Sequence, residues 1–233
     1  MPSVLITGAS RGFGRELLDT YFSNNWTVFP LVRNPKVAEE LASHYATNCF
    51  PIVGDVSSDT VSAAISTILA AHTHSLDLLI NNAGHIVKNR GIEGVSSDDL
   101  LEHLNVHVAG VWRCTIASLP FLKNAERPVV VNITSRFGSI ARIARRKSEF
   151  VYAYNIAKAA QNMLTACMGR DLRREGISVI AVHPGQLKTS AAALDADTDP
   201  RVAAGRFYDY VAQIDSSADT RVYDLMKGEV IEW

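Results

Sequence analysis

Residues 150–160 read FVYAYNIAKAA, with Tyr154 and Lys158 four apart and a second tyrosine, Tyr152, six residues before the lysine. Positions i and i+4 of a helix share a face, so Tyr154 is paired with Lys158 and Tyr152 points elsewhere. A phenol with its ordinary pKa of ~10 is a poor acid or base near neutrality, and a neighbouring ammonium favours the phenolate. Lys158 can supply that shift and also hold a ribose hydroxyl, which brings Tyr154 toward the range of a useful general acid. Upstream, Ser135 ends the apolar run PVVVNITS, where its hydroxyl can bond a carbonyl oxygen that is gaining negative charge. Phenol, ammonium and hydroxyl together would reduce a carbonyl. Singly they mean little, because helical tyrosine-lysine pairs are common and a serine after a strand often caps a helix.

The stretch TGASRGFGREL places Gly8, Gly12 and Gly14, with Ser10, Arg11 and Phe13 between them, where a first strand gives way to a helix. Glycine permits a tight turn and close backbone approach, while the helix N-terminus offers unpaired N–H groups and a positive dipole end to a pyrophosphate. The second strand, WTVFPLVRNP, ends in Arg33, with no acidic residue anywhere in 20–36. A ribose 2′-hydroxyl site usually carries an acid at about this distance, whereas a 2′-phosphate calls for arginine. Arg11 adds a second planar, always-charged fork on the same side. The nucleotide expected is NADP(H).

Elements that position these groups are legible as short apolar runs alternating with helical patterns. VLITG, LLINN and VVVNI are apolar throughout, as strands covered on both faces require. Helices are expected over 15–24, 36–46, 60–72, 97–123, 154–175 and 201–214, followed by a short closing segment. Regular alternation predicts an α/β Rossmann-type doubly wound parallel sheet with helices on both faces, and ligands in the crevice beyond the strands' carboxyl ends. Residues 7–14, 81–84, 134–139 and 183–189 all fall just past strand ends.

A chain of 233 residues fits one α/β domain spanning 1–233. With 47% hydrophobic and 20% charged residues and a net charge of -1, there is no electrostatic case for nucleic acid or an anionic membrane. Partners are therefore expected to be small molecules or proteins. Cys49, Cys114 and Cys167 are scattered in apolar surroundings, which points to buried thiols in a reducing compartment rather than a disulfide or a metal site. MPSVLITG runs directly into a strand, and no apolar run approaches a membrane span. The expected location is cytoplasmic.

Taken in order, TGASRGFG, Asp55-Val56, NNAG, Ser135, YNIAK and HPGQLKT resemble the marks of the short-chain dehydrogenase/reductase family over nearly the whole chain. The resemblance implies that Asp55 and Val56 flank an adenine. It also implies that Asn81, Asn82, Ala83 and Gly84 support the nucleotide floor, and that Pro184, Gly185, Leu187 and Thr189 hold the nicotinamide amide. Ser135, Tyr154 and Lys158 take the catalytic roles, the last two also touching the cofactor.

Two departures stand out. The segment between Ser135 and Tyr154, RFGSIARIARRKSEF, is longer than is usual in the family. Together with SRFGSI, YAY and the ending YDLMKGEVIEW, it resembles the subgroup of sniffer-type carbonyl reductases and bacterial C-factor signalling proteins. At the fourth catalytic position, where most members carry an asparagine supporting a proton-relay water, this chain has His107, with Asn105 two residues earlier. His107 either bonds that water or packs against the sheet.

Arg142, Arg145, Arg146 and Lys147 in the long segment form either a solvated loop or an attractor for an acidic substrate. His85, Phe137, Tyr152 and Gln186 are the substrate contacts expected by position, with the apolar loop 187–194 as a lid. The function these features imply is hydride transfer between NADPH and a ketone or aldehyde. The alternative is an NADP(H)-binding signalling protein of the C-factor type with little or no turnover, and an NAD-dependent alcohol dehydrogenase conflicts with Arg33. Dimers and tetramers through the two long helices are common in the family, while the sniffer-like subgroup includes monomers.

Overall fold

A computed structural model describes residues 1–86, 91–145, 151–189, 196–214 and 219–233. Among these, eight strands form one sheet: β1 Ser3–Thr7, β2 Thr27–Val32, β3 Ile52–Val53, β4 Leu78–Asn81, β5 Val129–Ile133, β6 Ser178–His183, β7 Val222–Asp224 and β8 Glu229–Ile231. Their order across the sheet is β3-β2-β1-β4-β5-β6-β7-β8. Every pairing is parallel except the last, β7 with β8. The chain runs outward from β1 to β3 and then crosses back to place β4 beside β1, which opens a crevice at their carboxyl ends.

Continuous apolar strands are explained by the two cores they serve. On one face Val4 and Ile6 of β1, Leu78 and Ile80 of β4, and Val129 and Val131 of β5 pack with helices α1 (Gly12–Ser23), α2 (Pro35–Tyr45) and α8 (Pro200–Val211). On the other, Leu5, Leu79 and Val130 pack with α3 (Thr60–His72), α5 (Gly110–Leu122) and α7 (Tyr152–Leu172). Neighbouring residues of one strand thus fill opposite cores, as the two-residue repeat of a strand demands. Helix starts are marked in the sequence: Asn34 caps α2 ahead of Pro35, and Asp199 caps α8 ahead of Pro200.

Five features differ from the sequence expectation. The helix expected over 97–123 is α4 (Ser97–Leu104) and α5, joined by a π-helical turn at Asn105–Ala109. The tyrosine-lysine helix begins at Tyr152, one half-turn before Tyr154. Part of the long segment after Ser135 is a short helix, α6 (Ile140–Ala144), which the chain end holds in place. There Ala141 N donates to Trp233 O at 3.3 Å and Arg145 pairs with Glu232 at 3.3 Å. Finally, the closing segment contributes β7 and β8. Cys49 and Cys114 are buried free thiols as expected, but Cys167 is exposed on the outer side of α7. No helix among the described residues is long and apolar enough to cross a membrane.

Candidate active site

The glycine turn and β4 are laced together by Thr7 and Asn82. Thr7 Oγ1 accepts the amides of Asn82 and Ala83, both at 2.9 Å, and Asn82 Nδ2 donates to Thr7 O at 2.9 Å. Gly8 and Gly12 sit at φ +69 and +58, which side chains disfavour. A Cβ on Gly14 would lie 2.3 Å from Gly8 O and 2.5 Å from Asn82 Nδ2. The Gly8 and Ala9 amides are tied to Leu31 O at 3.0 and 3.3 Å, so the turn closes onto the start of α1, whose N-terminus is where a phosphate would sit.

Nearby, the Arg33 side chain is 76% exposed and only 4.0 Å from Asp55, an arrangement that leaves its guanidinium free for an incoming anion. Burial alone would raise the Asp55 pKa. Hydrogen bonds from the Ser57 amide and hydroxyl, with the Arg33 charge, outweigh burial and hold it below its ordinary value.

Buried amides position the catalytic end. Asn81 Nδ2 donates to Asn132 Oδ1 at 2.9 Å, Asn132 Nδ2 to Thr165 Oγ1 at 2.8 Å, and Thr165 Oγ1 to Gln161 O at 2.8 Å. Gln161 Oε1 in turn accepts from Lys158 Nζ at 2.9 Å, and Ile133 O accepts from the same nitrogen at 2.7 Å. This polar line runs from β4 through β5 to α7 and fixes the lysine. A second clasp, Thr134 to Asn162 at 2.6 Å and Asn162 to Gly138 O at 3.2 Å, sets the loop after Ser135 against α7.

Lys158 Nζ lies 5.7 Å from the centre of the Tyr154 ring. It is bonded to Ile133 and Gln161 and not to the phenol, so the ammonium support expected for Tyr154 is absent in the cofactor-free chain. Burial pushes the Lys158 pKa down to about 7. The surrounding protein mass pushes the Tyr154 phenol up to about 12, with the Ser135 hydroxyl pulling it back. Ser135 Oγ accepts the Phe137 amide at 3.2 Å, and its proton is directed at the Tyr154 phenol, beside the cavity that both line.

At the fourth position the structure separates the two candidates. Asn105 is engaged elsewhere, donating to Ser57 O at 3.0 Å and accepting from Arg113 at 2.9 Å. His107 lies edge-on to Tyr154 with ring centres 5.6 Å apart. Its Nε2 is 2.9 Å from His85 O; a carbonyl only accepts, so Nε2 carries the proton and Nδ1 is the lone-pair nitrogen. Nδ1 is buried without a partner. Burial, followed by the Lys158 charge, lowers the His107 pKa well below its ordinary value, so the ring is neutral. The π turn brings His107 to this place, and Gly84 makes room, since a Cβ there would sit 2.5 Å from His107 Cε1.

One cavity of about 840 Å³ joins the glycine turn to Tyr154. Its wall includes the expected nucleotide residues from Gly8 to Thr189, the catalytic Ser135, Tyr154 and Lys158, and His85, Phe137, Gln186 and both fourth-position candidates. Asn81 faces inward to Asn132 and Thr115 instead. Tyr152 is not in the wall. Of the basic segment, Arg145 is bonded to Glu232, while residues 146 and 147, like 190–194 of the expected lid, lie outside the described residues. Arg136 and His183 in the wall fall within the expected stretches 134–139 and 183–189 without an assigned role, and Glu102 and Ser57 were not anticipated. Among the described residues there is no cluster of His, Cys, Asp and Glu fit to hold a metal.

The family described as short chain dehydrogenase matches residues 2–199. The chain belongs to the short-chain dehydrogenase family. Among solved structures of that fold, the NADPH-bound carbonyl reductase from chicken fatty liver is 28% identical, with a TM-score of 0.91 over 100% of this chain and 99% of that one. The carbonyl reductase Sniffer of D. melanogaster is 26% identical, with a TM-score of 0.89 over the whole of both chains. The C-signal protein of Myxococcus xanthus is 36% identical over 124 residues, 53% of this chain and 73% of its own. The sniffer and C-factor resemblance is thus matched by a sequence relative and by solved structures.

Proposed function

We propose that this short-chain dehydrogenase family member is an NADP(H)-dependent oxidoreductase that reduces ketones or aldehydes. The observation that carries the reading is the meeting of Ser135, Tyr154 and Lys158 with the glycine turn in one cavity. The residues fit the cofactor: a glycine turn held so tightly on the start of α1 that a Cβ at Gly14 would collide with Gly8 O, and Arg33 with Arg11 for the 2′-phosphate. Bound there, NADPH supplies the hydride. Ser135 donates a hydrogen bond to the carbonyl oxygen, and Tyr154 Oη gives that oxygen its proton. Lys158 holds the ribose, and its charge lowers the phenol once it swings from Ile133 toward the cavity. His107 serves the return of the proton through Nδ1, as a neutral acceptor in place of the family's asparagine.

The whole of 1–233 acts in this reading as one cofactor-binding domain, in the cytoplasm. Exposed Trp112 and Ile116 on α5 and Ile156 and Met163 on α7 support self-association through these two helices, which sedimentation velocity would report. The test of the main reading is NADPH oxidation against a panel of aldehydes and ketones, comparing the wild type with Tyr154→Phe. Turnover that survives the substitution would defeat it. The similarity to C-signal favours a second reading, a signalling protein that responds to NADP(H) occupancy; it predicts tight NADPH binding with no carbonyl consumed.

A further inference from the structure

Past Ser135 and Tyr154, the cavity wall continues over two groups that hydride and proton transfer do not use, Arg136 and His183. Arg136 follows Ser135 directly and opens the 3-10 turn Arg136–Gly138. It is half-buried, and among the described residues its guanidinium has no carboxylate partner. The cavity wall holds two further guanidinia, Arg11 in the glycine turn and Arg33 4.0 Å from Asp55; Arg136 is the one that follows Ser135. A cation partly withdrawn from water without a counter-charge is costly unless something supplies that charge.

His183 gives the same corner an independent polar demand. It ends β6, is 6% exposed, and its buried Nδ1 has no partner. Burial, more than any charge, holds it neutral at a pKa of about 4; Arg136, Arg142 and Lys227 press the same way and Asp224 against them. A neutral ring can still donate one N–H. Among the described residues two charged carboxylates lie nearby: Asp224, which accepts the amides of Met226 and Lys227 at 3.2 and 3.1 Å, and Glu102, 3.4 Å from His85. Asp55 sits at the Arg33 end. Asp224 is not in the cavity wall, so the charge presented beside Ser135 is that of the Arg136 guanidinium.

We propose that the carbonyl substrate carries a carboxylate, which the Arg136 guanidinium binds beside Ser135 with His183 as a second donor. This rests on the reductase reading and narrows its substrate to aldehydo- and keto-acids. A carboxylate suits a single planar fork; a phosphate's double charge would call for more than the one guanidinium beside Ser135, since Arg11 and Arg33 line the nucleotide end of the wall.

The test is kcat/KM for 4-carboxybenzaldehyde against its methyl ester, which differs by the charge and little else, in the wild type, Arg136→Gln and Arg136→Lys. Alongside, 4-carboxybenzyl alcohol is titrated calorimetrically into NADP-loaded protein. The expected wild-type ratio is tenfold or more in favour of the acid. It falls toward one in Arg136→Gln, mostly through KM, recovers in part in Arg136→Lys, and shrinks with salt. A wild-type ratio near one, or the same ratio in wild type and Arg136→Gln, overturns the proposal, and the wild-type arm decides even if a variant fails to fold. A phosphate-bearing aldehyde preferred tenfold over the acid overturns the choice of carboxylate. Arg136-dependent binding of the alcohol without turnover of any carbonyl would sustain the anion site and sink the reductase reading; turnover of both aldehydes without preference would do the reverse.

Discussion

Replacing Lys158 by methionine tests whether burial makes the folded chain release the lysine's proton near neutrality. Burial lowers its pKa from 10.5 to about 7 in the cofactor-free protein. Between those values the unfolded chain keeps a proton that the native chain has released, so native stability rises with pH over that window. At about 1.36 kcal/mol per unit, the whole window is worth about 5 kcal/mol, and the part between pH 7 and pH 9 about 2 kcal/mol. Methionine removes the titration. Its loss of the bonds to Ile133 O and Gln161 Oε1 shifts stability by an amount that does not depend on pH. The assay is urea unfolding of both proteins without cofactor at pH 7 and 9, taking the difference between them so that all other titrations cancel. The wild type should gain about 2 kcal/mol on the variant as the pH rises. A difference that stays constant within about 0.5 kcal/mol would mean that Lys158 keeps its proton when folded, and the account of a dry, tunable ammonium would fail.

Gly14→Ala would place a methyl 2.3 Å from Gly8 O; displacing that backbone costs about 1–3 kcal/mol, and calorimetry should find NADPH binding weakened more than tenfold with the fold retained by circular dichroism. Arg33→Asp should weaken NADPH far more than NADH, by roughly ten- to a hundredfold from the loss of charge-assisted bonds; equal loss with both cofactors would refute the 2′-phosphate assignment. His107→Ala should slow turnover without changing cofactor affinity, and His107→Asn should restore part of it; a fully active alanine variant would remove His107 from the relay. Because the Tyr154 phenol stands at about 12 without cofactor, the wild-type minus Tyr154→Phe difference spectrum should show no tyrosinate below pH 10. NADP+ should shift its appearance downward, and an unchanged titration would contradict the expected support from cofactor and Lys158.

How much was legible depended on how local the cause was. Strands β1, β4 and β5 could be read because burial on both faces leaves an apolar run with no alternation, and Tyr154 could be separated from Tyr152 because helical spacing is a purely local rule. The three-residue strands β7 and β8 were not legible: RVYD and GEVIE alternate too briefly, and β8 buries only Ile231 among its three residues. The π turn at Asn105–Ala109 leaves no composition signal, yet it decides that His107, and not Asn105, faces Tyr154. Asn81 was expected at the nucleotide floor, but it heads a buried polar line through Asn132 to Lys158, which depends on pairing across β4, β5 and α7. Among several arginines after Ser135, only the three-dimensional packing distinguishes Arg136 in the cavity wall from Arg145 clasped to Glu232.

The most direct test of the central claim follows deuterium from NADPH labelled at the nicotinamide C4 during reduction of an aldehyde by the wild type and by Tyr154→Phe, with NADPH affinity measured for both. The account predicts one deuterium on the carbinol carbon of the wild-type product. It predicts that transfer falls a hundredfold or more, on the order expected for a lost general acid, in a variant that still binds NADPH. Tight NADPH binding by the wild type with no deuterium reaching any carbonyl offered would contradict it.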